Sequence, residues 1–162
     1  MRIVVIGSCI VDIGMRLERL PRPGETIFAE EMAVTLGGKG FNQAIAAARL
    51  GAEVTLLGKV GADEFGMQML EAMAAEGIDG RYVAQDSRAP TGMAVPMVLP
   101  DGSNSIISAP GANLLLTAEE AAGGASAIRA ADIVLMQMEV SPVANLRAAR
   151  VARDAGVAVL LN

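Results

Sequence analysis

The sequence has no histidine, no tryptophan and a single cysteine, Cys9, among its 162 residues. One cysteine cannot form an internal disulfide, and the common Cys/His zinc sites are excluded without histidine. Three phenylalanines and one tyrosine are the only aromatic residues, so few side chains could stack on bases or sugar rings. They are Phe28, Phe41, Phe65 and Tyr82. A reducing compartment fits this cysteine usage best.

Basic clusters and long apolar runs are also missing. The net charge of -5 comes from charges scattered along the chain, so no segment is suited to track a phosphate backbone. The apolar run at the N-terminus meets Asp12 too early for a membrane span and lacks the small-residue cleavage pattern of a signal peptide. We therefore expect a cytoplasmic protein without nucleic-acid or membrane partners.

Aliphatic residues are abundant, since 52% of the chain is hydrophobic and only 2% is aromatic. This composition is typical of α/β layers, and the chain length suits one domain with one sizeable core. β-branched or aliphatic runs alternate with helix-like segments, which predicts βαβ units. The predicted strands are residues 3–7, 54–61, 133–139 and 157–162, and the predicted helices are 40–50, 65–76 and 142–155. Asp63 is a predicted N-cap, and Thr117 with Glu120 forms a predicted capping box.

Two segments depart from this alternation. The first, at about residues 12–36, contains Pro21, Pro23 and Gly24 and then a loosely strand-like run from residue 25. The second, at about 91–109, has two strand-like pieces separated by Pro-Asp-Gly, which predicts a hairpin, with Pro96 best tolerated on an edge strand. We expect the two excursions to pair into a small separate sheet.

The stretch LGGKGFNQ, residues 36–43, precedes a predicted helix and invites a phosphate-loop interpretation. Its spacing rejects the P-loop, because Ala33 stands five positions before Gly38 and Gly40 follows Lys39. The dinucleotide pattern fails as well, because Gln43 stands where its last glycine belongs.

A glycine-rich turn at a helix N-terminus still offers free backbone N–H groups. Lys39 would add a cation and Asn42 an amide that both donates and accepts hydrogen bonds. The alternative is that the glycines only allow close packing while Lys39 points into water.

Two carboxylates follow predicted strands. Asp12 comes after the first strand and Glu139 ends another, so both are expected at the carboxyl edge of a parallel sheet, where open α/β sheets bind ligands. Alone, Asp12 could be a turn or capping residue and Glu139 a solvated loop residue. Together with Lys39 and Asn42 they form a set that suits the vicinal hydroxyls of a polyol.

Longer segments make the sequence recognisable. GETIFAEEMAVTLGGKGFNQAIAAARLGAEVTLLGKVGADEFG, TGMAVPMVLPDGSNSIISAPGAN, LMQME and the terminal LLN resemble the N-terminal half of the ribokinase-like (PfkB) family of carbohydrate kinases, over residues 1–162. The resemblance implies the N-terminal part of a doubly wound, mainly parallel sheet flanked by helices. It also implies a small β lid, made by the two excursions, that clasps a second subunit in a homodimer.

The resemblance also implies residue roles. The positions that match the family's sugar-binding residues are Asp12, Gly38, Lys39, Asn42 and Glu139. Met93, Ala94 and Ser108 would lie on the lid near the sugar, and Asn113 matches a family motif without an assigned contact. The implied function is transfer of the ATP γ-phosphoryl group to a hydroxyl of ribose or a related sugar by the intact enzyme.

Two departures from the family pattern qualify this. Ile10 stands where ribose-specific members usually carry asparagine, which removes a hydroxyl partner and leaves fructose, a deoxysugar or a nucleoside as alternatives. The family's ATP site, magnesium site and general base belong to a C-terminal half that these residues do not include. We therefore expect this chain alone to be inactive and to bind no cofactor. A bare apolar sheet edge at the last strand favours a missing second half over a non-catalytic sugar-binding module.

Overall fold

The computed structural model describes all residues, 1–162, and contains two β-sheets. Its strands are β1 (Arg2–Ile6), β2 (Ile10–Arg16), β3 (Glu31–Gly37), β4 (Glu53–Gly61), β5 (Asp79–Asp86), β6 (Gly92–Val98), β7 (Asn104–Ala109), β8 (Ile133–Met136) and β9 (Ala158–Leu161). Its α-helices are α1 (Lys39–Arg49), α2 (Glu64–Ala75), α3 (Ala118–Gly123), α4 (Ala125–Ala130) and α5 (Pro142–Asp154), and a 3-10 helix spans Gly111–Leu115. None of the helices is long and apolar enough to cross a membrane.

The main sheet has five parallel strands in the order β5-β4-β1-β8-β9. β1 lies at its centre, and both of its faces are covered because Val5 packs with α1 and α2 while Val4 and Ile6 pack with α3, α4 and α5. A strand buried on both faces needs a continuous apolar run, which is the pattern of residues 3–7. The predicted α/β fold with a parallel sheet and flanking helices is confirmed.

The second sheet, which we call the lid, contains β2, β3, β6 and β7 in the order β3-β2-β6-β7. Two antiparallel hairpins, β2 with β3 and β6 with β7, meet through a parallel pairing of β2 with β6. The two excursions recognised in the sequence therefore do form one separate sheet. The lid is continuous with the carboxyl edge of the main sheet, since β2 begins four residues after β1 ends.

Several local predictions are corrected by the structure. Asp12 lies inside strand β2 and not in a turn, and the strand predicted from residue 25 begins only at Glu31. β5 was not predicted at all. Pro96 lies in β6, which is an interior strand of the lid and not the predicted edge strand. The pairing of β2 with β6 is interrupted there: Asp12 pairs with Ala94 and Met15 with Met97, but the residues between them do not pair with each other. That gap accommodates the missing N–H of proline.

The predicted helix starts agree with the structure. Asp63 caps α2 by accepting a hydrogen bond from the Gly66 N–H at 2.8 Å. Thr117 and Glu120 form both hydrogen bonds of the capping box at the start of α3. These local signals were readable because each depends on residues three positions apart.

Candidate functional site

A cleft of about 450 Å³ lies between the lid and the carboxyl edge of the main sheet. The polar residues and glycine predicted to bind substrate all line it: Asp12, Gly38, Lys39, Asn42 and Glu139. Ala94 and Ser108 line it as well, whereas Met93 does not. Lining residues that the sequence reasoning did not propose are Ile106, Pro110, Leu114 and Met138. The fold thus brings together groups that are up to 127 positions apart in the sequence, from Asp12 to Glu139.

The lid contributes a row of side chains through its strand register. Asp12 of β2 pairs with Ala94 of β6, which in turn pairs with Ser108 of β7. Residues that pair directly across a sheet share one face, so these three side chains face the cleft together. Met93 is adjacent to Ala94 and therefore points to the opposite face.

The glycines of the LGGKGFNQ stretch allow the backbone to pack closely beneath the cleft. Gly38 has a φ of 93°, and a Cβ there would lie 2.8 Å from the Ser8 carbonyl oxygen. A Cβ at Gly40 would overlap the backbone of Gly7 and Ser8. The start of α1 is thereby pressed against the connection between β1 and β2, so close packing is one real role of these glycines.

Glu139 is held by α1 and by the β1–β2 connection. The buried Ser8 hydroxyl donates a hydrogen bond to Glu139 Oε2 at 2.6 Å, and the Lys39 backbone N–H donates to the same oxygen at 3.2 Å. The Lys39 ammonium lies 3.7 Å from Glu139 Oε1 in a partly exposed ion pair. Glu139 is therefore a fixed carboxylate at a helix N-terminus, where the helix dipole favours negative charge.

Asp12 lies in a less favourable place for a charge. Partial burial, and next the negative charge of Glu139, raise the pKa of Asp12 above its usual value. An ionised Asp12 is an acceptor that gains from donors brought by a ligand. Asn42, exposed in the first turn of α1, can both donate and accept hydrogen bonds on the same side of the cleft.

Ser8 and Asn113 are the polar residues near the site that the sequence reasoning missed or left without a contact. Both are fully buried, and each makes its main contact with a residue more than 100 positions away. The position of Ser8 directly after the glycine that follows a buried strand was the only local signal.

No three or more Asp, Glu, Cys or His side chains lie together in a way that could hold a metal ion. The cleft contains two carboxylates, Asp12 and Glu139.

Comparisons with known proteins identify the family and fold that the chain resembles. The family model described as pfkB family carbohydrate kinase matches residues 1–162. The chain is 41% identical to a ribokinase from Mus musculus over 99% of this chain and 50% of the relative, and 35% identical to a deoxyribokinase from Salmonella typhi over 100% of this chain and 53% of the relative. The structure of Arabidopsis thaliana ribokinase complexed with ribose and ATP superposes with a TM-score of 0.89 at 39% identity, covering 98% of this chain and 52% of that chain. The chain thus spans about half the length of the curated relatives it matches.

Proposed function

The chain belongs to the pfkB family of carbohydrate kinases, and we propose that its cleft is the sugar-binding site of such a kinase. The sugar is ribose or a related sugar, and the intact enzyme transfers the γ-phosphoryl group of ATP to one of its hydroxyls. Ribokinases and deoxyribokinases among the relatives support this class of reaction.

The polar lining of the cleft carries the proposal. A sugar hydroxyl donates one hydrogen bond and accepts others, so it needs acceptors and donors side by side. Asp12 supplies an acceptor, Lys39 supplies donors, and Asn42 supplies both within the same 450 Å³ cleft. Glu139 adds a second carboxylate whose orientation is already fixed by Ser8. This arrangement can hold a polyol in one orientation. Positioning the acceptor hydroxyl is a main contribution of the protein to phosphoryl transfer.

Apolar residues on the lid side of the cleft favour one alternative substrate. Ile10 is 7% exposed and lines the cleft with Ala94 and Ile106, which makes an apolar surface. A hydroxyl held against that surface would lack a partner, at a cost of about 1–3 kcal/mol. A deoxysugar avoids this cost, so deoxyribose is the second candidate, ahead of fructose or a nucleoside.

The chemical step needs groups beyond those in the cleft. We propose that the ATP site, the Mg²⁺ site and the general base belong to other parts of the intact enzyme and that this chain alone transfers no phosphoryl group. The cleft residues do not fit a Mg²⁺ site, so no step through the metal is assigned to them. Their proposed work is to bind and orient the sugar while the lid limits access of water.

The outer face of the lid supports a homodimer. Alternation places an apolar group on the face away from the cleft, made of Ile13, Met15, Met32, Val34, Val95, Met97 and Ile107. Met32 and Ile107 are each 65% exposed and Val34 is 50% exposed. A contiguous apolar patch with this exposure is unusual on a monomeric protein and marks an interaction surface. We propose a second copy of the chain as its partner. Ile107→Lys should weaken self-association in sedimentation velocity, whereas Met67→Lys, on exposed α2 surface, should not; equal association of both would contradict the proposal.

The free thiol fits a cytoplasmic location, which we also propose. Burial raises the pKa of Cys9 to about 12, so the group remains a thiol at neutral pH.

A thermal-shift panel tests the function. Unfolding of the 162-residue chain is followed with ribose, 2-deoxyribose, fructose and a ribonucleoside, because a ligand that binds only the folded state raises the midpoint. Stabilisation by ribose or deoxyribose supports the proposal and separates the two candidates. Absence of any shift across the panel would contradict a sugar site. A second assay, of the intact protein with labelled ATP, distinguishes a kinase from a non-catalytic sugar-binding module. A kinase transfers label to the sugar that binds, and a non-catalytic module does not.

A further inference from the structure

Asn113 does not line the cleft, although Pro110 and Leu114 do, and it is fully buried in the 3-10 helix that follows the lid. Its side-chain oxygen accepts a hydrogen bond from the Cys9 N–H at 2.9 Å. Its side-chain nitrogen donates to the carbonyl oxygens of Cys9 and Pro110, both at 2.8 Å. One amide thus satisfies three backbone groups on two separate segments.

The geometry fixes the orientation of this amide. Exchanging its oxygen and nitrogen would place an NH₂ against the Cys9 N–H and an oxygen against two carbonyls, which leaves every contact repulsive. The site is also tight, because a Cβ at Gly92 would overlap the Asn113 side-chain nitrogen. Asn113 therefore holds one position and one orientation.

The two segments that Asn113 joins are the roots of the lid. Cys9 immediately precedes β2, which carries Asp12, and Pro110 immediately follows β7, which carries Ser108. The Asn113 carbonyl also accepts a hydrogen bond from the Ser141 N–H at 3.4 Å, in the loop that carries Glu139. Three segments that line the cleft therefore converge on this one residue.

We propose that Asn113 is a positioning residue for the sugar: it sets the distance between the lid groups Asp12 and Ser108 and the loop that carries Glu139. It touches no ligand itself. The inference rests on the proposed function of the cleft. Removing the amide would leave three buried backbone groups without partners, and these segments would shift to find water or other partners.

Asn113→Ala compared with Val151→Ala tests this. Val151 is a buried residue of α5 in the core and has no contact with the cleft, so its truncation controls for a general loss of stability. Sugar affinity of the 162-residue chain is measured by calorimetry at a temperature where all variants are folded. We expect Asn113→Ala to weaken binding about tenfold or more, and Val151→Ala to leave the affinity unchanged.

Amide hydrogen exchange adds a readout that a general structural role would not produce. In Asn113→Ala, the Cys9 N–H loses its hydrogen-bond acceptor and should exchange faster than in Val151→Ala. The amides of β4 in the core should be as well protected from exchange in Asn113→Ala as in Val151→Ala. Wild-type affinity retained in Asn113→Ala would overturn the inference and leave the proposed function intact. A wild-type chain that binds no sugar would overturn both.

A measurement on the wild-type chain decides the case if Asn113→Ala does not fold. The side-chain NH₂ signals of Asn113 in the NMR spectrum report on the lid roots, because both donors are engaged there. Saturation with sugar should shift these signals, because ligand contacts at Asp12 and Ser108 alter the adjoining backbone at Cys9 and Pro110, to which the amide is hydrogen-bonded. Signals that stay unchanged while cleft residues respond would overturn the inference.

Discussion

The main sheet and the lid bury very different shares of their side chains. In β1, three of five residues are buried, whereas β7 is exposed along all six residues. The central strands of the main sheet are covered by helices on both faces, while the lid has the cleft on one face and an apolar, open surface on the other. Stability is therefore expected to reside mainly in the main sheet.

The largest effect expected from this division is in the core. Ile6 in β1 is fully buried, so Ile6→Ala should lower the free energy of unfolding by about 2–5 kcal/mol. Urea denaturation measures the change. A loss below about 1 kcal/mol would mean that the main sheet is not the stable part of the molecule.

The junction between the two regions should show the next largest effect. A Cβ at Gly40 would overlap the backbone of Gly7 and Ser8, so Gly40→Ala should destabilise by about 1–3 kcal/mol although alanine favours helices. Gly123→Ala is the matched control, because nothing lies within 4 Å of its added Cβ in α3. That variant should be unchanged or more stable by up to about 1 kcal/mol. Equal effects of both substitutions would remove the close packing argued for Gly40.

The pH dependence of stability should differ in sign between two aspartates. The pKa of Asp12 is raised, so the folded state holds its proton longer than the unfolded state does, and stability falls as pH rises above about 4 through that raised pKa. Asp12→Asn should remove this fall.

Asp86 provides the opposite case in the main sheet. Hydrogen bonds from the Arg88 side chain and backbone and then from Lys59 lower its pKa, so its contribution is present at neutral pH and is lost as pH falls below about 4. Urea denaturation across pH for wild type, Asp12→Asn and Asp86→Asn checks both signs. Parallel pH profiles for the two variants would contradict the assignment.

The smallest effect is expected on the outer face of the lid. Ile107 is 65% exposed, so Ile107→Ala should change the unfolding free energy by less than about 0.5 kcal/mol at a concentration where the chain is monomeric. Chemical denaturation at two protein concentrations separates this from dimer effects. A loss as large as that of Ile6→Ala would show that the lid is part of the core.

The same contrast explains how much the sequence could predict. Residues 3–7 and 54–61 were recognisable as strands because burial on both faces demands continuous apolar runs. β5 escaped prediction because DGRYVAQD lies at an edge of the main sheet and mixes polar and apolar residues. β2 escaped because Asp12, which lines the cleft, and Gly14 interrupt its apolar pattern.

The candidate site divides in a similar way. Placement of Asp12, Lys39, Asn42 and Glu139 in one cleft was expected from the carboxyl-edge rule together with the family resemblance, although Asp12 lies within β2 and Glu139 lies three residues beyond the end of β8. The hydrogen bonds of Ser8 to Glu139 and of Asn113 to Cys9 could not be predicted, because no local pattern encodes contacts between residues 131 and 104 positions apart. Met93 was expected near the sugar but points away from the cleft. Strand alternation predicts this once Ala94, its neighbour in β6, is known to face the cleft.

Calorimetric titration of the chain with ribose and 2-deoxyribose, for wild type, Asp12→Ala and Asp101→Ala, tests the sugar-binding cleft most directly. Asp101 lies at the exposed tip of the lid hairpin and serves as the control carboxylate. We expect the wild type and Asp101→Ala to bind at least one of the two sugars equally well, and Asp12→Ala to lose about 1.5–3 kcal/mol of binding free energy, as for a hydrogen bond to a charged group. Unchanged affinity in Asp12→Ala, or no binding of either sugar by the wild type, would contradict the assignment of this cleft.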